Sequence, residues 1–349
     1  MDWLNSCHFG DCLETMRRMP DGIAQTCVTS PPYFGLRDYG RAGQIGLEET
    51  PAAFVAKLVE VFGEVRRLLS DDGTLWLNLG DSYAGSWGAQ GHGPSPSSTM
   101  SRHQVANHPK RAQNTGTIRA AGVKPKDLYG IPWRVAFALQ EDGWYLRQDI
   151  IWHKPNPMPE SIKDRCTKAH EYIFLLSKSE RYYFDQGAIS EASAESTMSR
   201  LAQDIDGQAG SDRVPGKTNG PMKAVGRRNS FARTTKDSAG QHGQKPQFRD
   251  DREPVAYEGR RNKRSVWTVA TTPYKGAHFA TFPTELIEPC VLAGAPAGRV
   301  VLDPFFGSGT TGQVAQNLGR AFIGCELNPE YQLLQAERLR QPSLLLEAA

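Results

Sequence analysis

Apolar positions along the chain recur at two spacings, and these divide it into alternating strands and helices. Between Pro51 and Leu69 the residues Phe54, Val55, Leu58, Val59, Phe62, Val65 and Leu68 have helical period, and Gly73 to Leu79 reads as a strand. Leu128 to Gln140 is a second predicted helix, with strands at Tyr145 to Trp152 and Tyr172 to Leu176. Toward the end come a helix around Pro283 to Leu292, a strand at Arg299 to Leu302, a helix from Thr310, a strand at Ala321 to Cys325 and a helix from Pro329 to Leu339. The short run Thr26-Cys27-Val28 and the segment Trp3 to Cys12 complete the strands. An α/β fold follows, with a largely buried sheet.

Two polar stretches interrupt this alternation, one from about Gly85 to Lys126 and one from about Gly187 to Arg264. Both are long for connections, so each is functional or disordered. A chain of 349 residues holds one large α/β domain plus an inserted unit. The expected division is residues 1–184, an insertion at 185–264, and residues 265–349 returning to the first domain. No internal repeat of solenoid period is present.

The formal charge of +3 is too small to imply a nucleic-acid partner by itself. The six cysteines form no C-x-x-C pair and no His/Cys cluster at zinc spacing, so they read as reduced core residues and no metal is expected. No apolar run approaches membrane length and no secretory h-region opens the chain, which points to a soluble cytoplasmic protein.

Two loops carry candidate chemistry. Thr29-Ser30-Pro31-Pro32-Tyr33 follows the first apolar run, and Asp303-Pro304-Phe305-Phe306-Gly307-Ser308-Gly309-Thr310-Thr311 follows the strand at Arg299 to Leu302. Ligands of open α/β sheets bind at such carboxyl ends. The first loop offers acceptors and an aromatic face for a planar group, and the Gly-rich loop lets a nucleoside approach the backbone. Gly307-Ser308-Gly309-Thr310-Thr311-Gly312 also fits the dinucleotide fingerprint G-x-G-x-x-G, with Glu326 closing the next strand. Too little chain follows that loop to supply further βαβ units, so the sheet must be completed from the N-terminal part, in circularly permuted order.

With these motifs in this order, the sequence resembles the S-adenosyl-L-methionine-dependent amino DNA methyltransferases of the permuted β group, over nearly the whole chain except the middle insertion. The resemblance implies a Rossmann-like seven-stranded methyltransferase sheet, circularly permuted, with Trp3 to Cys12 following the C-terminal helix in space. It also implies an inserted target-recognition region, S-adenosyl-L-methionine as cofactor, and duplex DNA as partner. Ser30, Pro31, Pro32 and Tyr33 become the catalytic loop. Ser30 Oγ and the Pro31 carbonyl accept from the target amino group, and Tyr33 lies against a flipped base. The cofactor would be held by Asp303, Phe305, Phe306, Gly307, Ser308, Gly309 and Thr310, with Glu326 on the ribose hydroxyls and Asn328 beside it. Asp11 resembles the family's contact to the adenine amino group, although an Asp at a strand end also serves as a helix cap. His278 to Leu286 resembles an additional cofactor motif, from which Phe282, Pro283 and Thr284 would line the pocket; a helix start there is the plainer reading.

Contacts to DNA are expected from Lys154 and Asn156, in Trp152-His153-Lys154-Pro155-Asn156-Pro157, as a DNA-facing or base-pocket loop. They are also expected from the basic residues of the insertion, Arg227, Arg228, Arg233, Arg249, Arg252 and above all Arg260, Arg261, Lys263 and Arg264. A solvated charged face is the alternative. Ser30 in the first position of the Pro-Pro-aromatic motif resembles N4-cytosine enzymes, whereas Asp or Asn is typical of N6-adenine enzymes, and adenine stays open. No C5-cytosine chemistry is implied by the resemblance; the one Pro-Cys pair, Pro289-Cys290, falls within the predicted helix around Pro283 to Leu292. The remaining alternatives are a non-catalytic DNA-binding subunit and an RNA methyltransferase. A prokaryotic or phage origin, a monomer or homodimer and a cognate restriction endonuclease complete the expectations.

Overall fold

Buried apolar runs pair into an eight-stranded sheet in the computed structural model, which describes residues 3–36, 40–84, 123–124, 126–194, 259–271 and 282–340. The strands are β1 (Ser6–Phe9), β2 (Ala24–Thr29), β3 (Leu69–Leu79), β4 (Tyr145–His153), β5 (His170–Ser177), β8 (Val266–Thr268), β9 (Val300–Asp303) and β10 (Ala321–Glu326). Their spatial order is β1-β10-β9-β2-β3-β5-β4-β8. β5 runs antiparallel to both neighbours and every other pairing is parallel. β2 is buried at all six positions, as a strand covered on both faces must be.

The permuted order is visible at one edge. β1 lies beside β10 in parallel register, Phe9 opposite Glu326, so the N-terminal strand takes the place that would follow the C-terminal helix. The sequence led us to expect seven strands, and the eighth is β8. Three residues are too few to show alternation, and only Trp267 of the three is buried. β1 is shorter than the expected Trp3 to Cys12, because Asn5 and Gly10 take positive φ on either side of it.

The helices follow from local rules. Helix α2 (Pro51–Leu68) opens with Thr50 accepting from the Ala53 N–H at 3.0 Å and with proline at its first turn, and it buries Phe54, Leu58, Val61, Phe62, Val65 and Leu68. The others are α1 (Cys12–Met16), α3 (Ile131–Glu141), α4 (Thr284–Gly294), α5 (Thr310–Asn317) and α6 (Gln332–Arg340). The predicted last helix divides into a 3₁₀ turn at Pro329–Tyr331, capped by Asn328, and α6. No helix among the described residues is long and apolar enough to cross a membrane.

The chain divides into two units, Met1–Ala188 with Arg264–Ala349, and Ile189–Lys263. In the second, the described residues form a two-stranded antiparallel pair, β6 (Glu191–Ala192) with β7 (Arg260–Arg261). All six cysteines are free thiols; Cys166 is exposed, the other five are buried or half-buried, and burial pushes the Cys12 thiol up to about 12.

Candidate active site

In the first unit, β2 and β9 are neighbours, and strand order departs from them in opposite directions. That switch point is where an open α/β sheet leaves a crevice. A cleft of ≈ 740 Å³ lies there, lined by both motif loops. Asp303 ties the loops together from beneath. It is 2% exposed, and its two carboxylate oxygens accept from Thr29 Oγ1 and Thr311 Oγ1, each at 2.6 Å, with the Phe305 N–H at 3.0 Å on the first oxygen. Burial pushes its carboxyl up from the ordinary 3.8 to about 6, against the opposing effect of these hydrogen bonds.

The Gly-rich loop is built over one aromatic ring. Phe306 is 3% exposed and stacks on Phe322 at 5.3 Å. A Cβ at Gly324 would lie 2.4 Å from its ring and one at Gly312 would lie 2.6 Å away, so both glycines are there to make room. The Phe306 ring is packed under the loop and still borders the cleft, and Gly312 and Gly324 serve its packing. The loop's N–H groups are also largely used internally: Phe305 to Asp303, Phe306 to the Cys325 carbonyl, Gly307 to Glu326 Oε2 and Gly309 to the Phe306 carbonyl. Glu326 takes the Gly307 N–H at 2.8 Å and the Asn328 N–H at 2.8 Å, one on each oxygen, and burial raises its pKa. Ser308 is different. Its side chain is 1% exposed, lines the cleft, and its hydroxyl has no partner among the described residues. A buried hydroxyl left so is costly unless a ligand completes it.

The Ser30–Tyr33 loop borders the same cleft, with Pro31 buried and Ser30, Pro32 and Tyr33 half-buried. Gly46, at positive φ, backs it closely: a Cβ there would meet the Tyr33 carbonyl at 3.1 Å. Tyr33 Oη donates to Glu171 Oε2 at 2.7 Å, and Glu171 is ion-paired with Lys154. Neither Glu171 nor Asn78, which also reaches this hydroxyl, was anticipated; Asn78 is a polar residue in a buried run, a local signal that could have marked it, whereas Glu171 sits at the half-buried start of β5.

The sequence profile of the DNA methylase family that covers N6 and N4 methyltransferases matches residues 24–337. The chain belongs to this family, and it is a DNA methyltransferase. It is 45% identical to the Type II methyltransferase M.Cfr9I of Citrobacter freundii over 331 residues, covering 95% of this chain and 86% of that one. With M.SmaI of Serratia marcescens it shares 41% identity over 341 residues, 96% and 91% of the two chains. The fold is similar to that of the PvuII DNA methyltransferase (cytosine-N4-specific), at TM-score 0.55 and 18% identity over 97% and 87% of the chains. It is also similar to a putative DNA modification methylase of Thermus thermophilus solved with S-adenosyl-L-methionine, at TM-score 0.50 and 22% identity over 95% and 93%.

The methylase places the remaining predicted residues unequally. Asp11 lines the cleft and caps α1, accepting from the Glu14 N–H at 3.0 Å, and the Gly10 N–H bonded to the Glu326 carbonyl sets it beside Glu326. Phe305, Gly307, Thr310 and Asn328 line the cleft as expected, whereas Gly309 turns the chain into α5 at φ 88°. Of the Phe282-Pro283-Thr284 triplet only Phe282 reaches the cleft; Pro283 is the N-cap of α4 and Thr284 is exposed. His278 to Thr281 lie outside the described residues, as do Arg227, Arg228, Arg233, Arg249 and Arg252.

Lys154 lies along the cleft, over the Trp152 ring at 4.3 Å and paired with Glu171. Asn156 also lines the cleft, but its amide clasps Thr271 in both directions at 3.0 Å. The basic cluster is no uniform charge run. Arg260 holds Ser190, and Arg261 and Lys263 share Glu191 at 3.5 and 3.7 Å. Arg264 belongs to the first unit, where its carbonyl accepts from Trp267 Nε1 at 2.8 Å.

Proposed function

We propose that this methylase transfers a methyl group from S-adenosyl-L-methionine to the N4 amino group of a cytosine flipped out of duplex DNA. The observation that carries the reading is the Thr29–Asp303–Thr311 bridge, which sets the Ser30–Tyr33 loop and the Gly-rich loop on one cleft. S-adenosyl-L-methionine supplies an electrophilic methyl group on a sulfonium. The buried, unpartnered Ser308 hydroxyl, the remaining lone pairs of Glu326, and Asp11 beside it form a donor and acceptor set suited to a nucleoside with a polar tail. Phe282 and Phe305 add apolar lining.

An exocyclic amine is a poor nucleophile because its lone pair is conjugated into the ring. Ser30 Oγ and the Pro31 carbonyl accept its two hydrogens, which draws the nitrogen toward tetrahedral geometry and turns the lone pair toward the Gly-rich loop. Positioning of this kind supplies most of the acceleration. Tyr33 covers the base face, and stacking of about 1–3 kcal/mol offsets part of the cost of flipping. The methylated amine then loses its proton to water, so no separate base is assigned. Cytosine leads because Ser30 stands where adenine enzymes carry Asp or Asn; the PvuII enzyme, named for cytosine N4, shares the fold.

Residues 185–264 are assigned to target recognition, with Arg260, Arg261, Lys263 and Arg264 as phosphate contacts. A cognate restriction endonuclease and a cytoplasmic place beside bacterial DNA belong to this reading, and the likeness to Type II methyltransferases supports it. The test is transfer of label from S-adenosylmethionine into duplex DNA by the purified chain. The expected result is labelled DNA with no metal added. DNA binding without label would make the protein a binding module.

A further inference from the structure

Three adjacent strands send polar side chains to one point beside the target loop. Asn78 comes from β3, Glu171 from β5 and Lys154 from the residue after β4. Such groups in a buried sheet persist only where they are hydrogen-bonded; Asn78 and Glu171 meet at the hydroxyl of Tyr33, and Lys154 meets Glu171. The single proton of Tyr33 Oη goes to Glu171 Oε2 at 2.7 Å, with Asn78 Oδ1 3.3 Å away as a weaker second acceptor. Asn78, 4% exposed, is oriented by its own donation to the Tyr172 carbonyl at 3.1 Å. Lys154 balances the other Glu171 oxygen, and Trp152 beneath it is locked by the Val269 carbonyl at 2.8 Å. The ring is constrained along its side as well. A Cβ at Gly80 would lie 2.4 Å from Tyr33 Cε2 and 3.0 Å from Cζ, so the ring rests against bare main chain.

We infer that Glu171 is a positioning residue for methyl transfer. With Asn78 and the bare main chain at Gly80, it fixes the plane of the Tyr33 ring, and through that ring the plane of the stacked base. The inference rests on the target-loop reading above. Lys154 pairs with the other Glu171 oxygen and holds the carboxylate in place beside the ring. The direction of the target lone pair follows the base plane, so a ring released from Glu171 lowers the rate of the chemical step and leaves cofactor binding alone.

The experiment is single-turnover methylation of duplex DNA by the full chain, comparing Tyr33→Phe, Glu171→Ala, Glu171→Gln and the Tyr33→Phe/Glu171→Ala double variant. Misplacement on the ångström scale costs up to about 100-fold, so about tenfold is expected for Tyr33→Phe and for Glu171→Ala. KM for DNA and affinity for S-adenosylmethionine should stay within about twofold, since neither variant removes a contact assigned to the cofactor. The double variant should be no slower than Glu171→Ala alone, and Glu171→Gln, which keeps an oxygen acceptor, should recover most of the rate. Tyr33→Phe leaves out only the hydroxyl, so it decides the question even where Glu171→Ala does not fold. A wild-type rate for Tyr33→Phe, or losses that multiply in the double variant, would overturn the inference. Ser30→Ala separates the two levels. If it too keeps the wild-type rate, the target-loop reading falls and takes this inference with it; if it alone loses activity, only this inference falls.

Discussion

The loop after β2 and the loop after β9 lie side by side, but they are held by opposite means. The Ser30–Tyr33 loop is stiffened by two prolines, and side chains from β3 and β5 anchor its aromatic end. The Gly-rich loop is held by its own main chain and by close approach of Gly312 and Gly324 to the buried Phe306 ring. Asp303 joins the two. A target base must be gripped by side chains, which a polar network can aim, whereas a nucleoside cofactor needs room against the backbone. Damage to one loop should therefore alter transfer, and damage to the other should alter cofactor binding or stability.

The largest effect is expected at the target loop. Ser30→Ala should slow methyl transfer roughly 100- to 1,000-fold, the scale set by loss of one positioned hydrogen-bonding group in other active sites, while calorimetry finds cofactor affinity nearly unchanged. Tyr33→Ala should behave alike. Wild-type turnover in both would place the target site elsewhere and dissolve the contrast.

The cofactor side should respond in the other observable. Glu326→Ala and Gly307→Trp should each weaken S-adenosylmethionine binding about tenfold or more, through a lost charged acceptor worth about 1.5–3 kcal/mol in one case and steric closure in the other. Gly324→Ala should instead cost about 1–3 kcal/mol of stability, because the added methyl meets the Phe306 ring. A urea midpoint unchanged by Gly324→Ala would contradict the packing account.

Asp303 sharpens the comparison through pH. Its folded pKa of about 6 stands above the ordinary 3.8, so between about pH 4 and pH 6 the folded protein holds a proton that the unfolded chain has released. Stability from this group is therefore fullest below pH 4 and falls as pH rises through 6. Asp303→Asn stays neutral, with Thr311 free to turn its hydroxyl toward the Val28 carbonyl at 3.4 Å. The variant should lose that slope and gain at most about 3 kcal/mol at pH 7.5. Urea unfolding from pH 4 to 8 checks this, and an unchanged slope would remove the assignment.

The smallest effect belongs to the basic cluster. Replacing Arg260, Arg261 and Lys263 by Gln should weaken DNA binding a few-fold across sequences. The salt slope should flatten by less than the roughly 0.9 per contact of phosphate-bound cations, because Glu191 already compensates two of them. A full loss of three contacts in slope would show that DNA displaces Glu191.

Sequence reasoning reached both loops because each is a continuous motif at a strand end, and it reached the permuted sheet because too little chain follows the Gly-rich loop. The packing of the Phe306 ring under its own loop was not legible, since a motif does not record which side a ring takes; the glycines at 312 and 324 that receive it are spread along the chain. Glu171 and Asn78 were missed for a related reason. Tyr33 meets them across 138 and 45 positions, and the register of β3 with β5 that joins them is set by burial rather than by any local pattern. The edge strand β8 was too short for periodicity to register.

The account turns on what the Ser30–Tyr33 loop grips. Duplex DNA methylated by the purified chain, digested to nucleosides and weighed by mass spectrometry, addresses this directly. N4-methylcytosine is the expected product, and N6-methyladenine as the only product would contradict the assignment of Ser30 to a cytosine amino group.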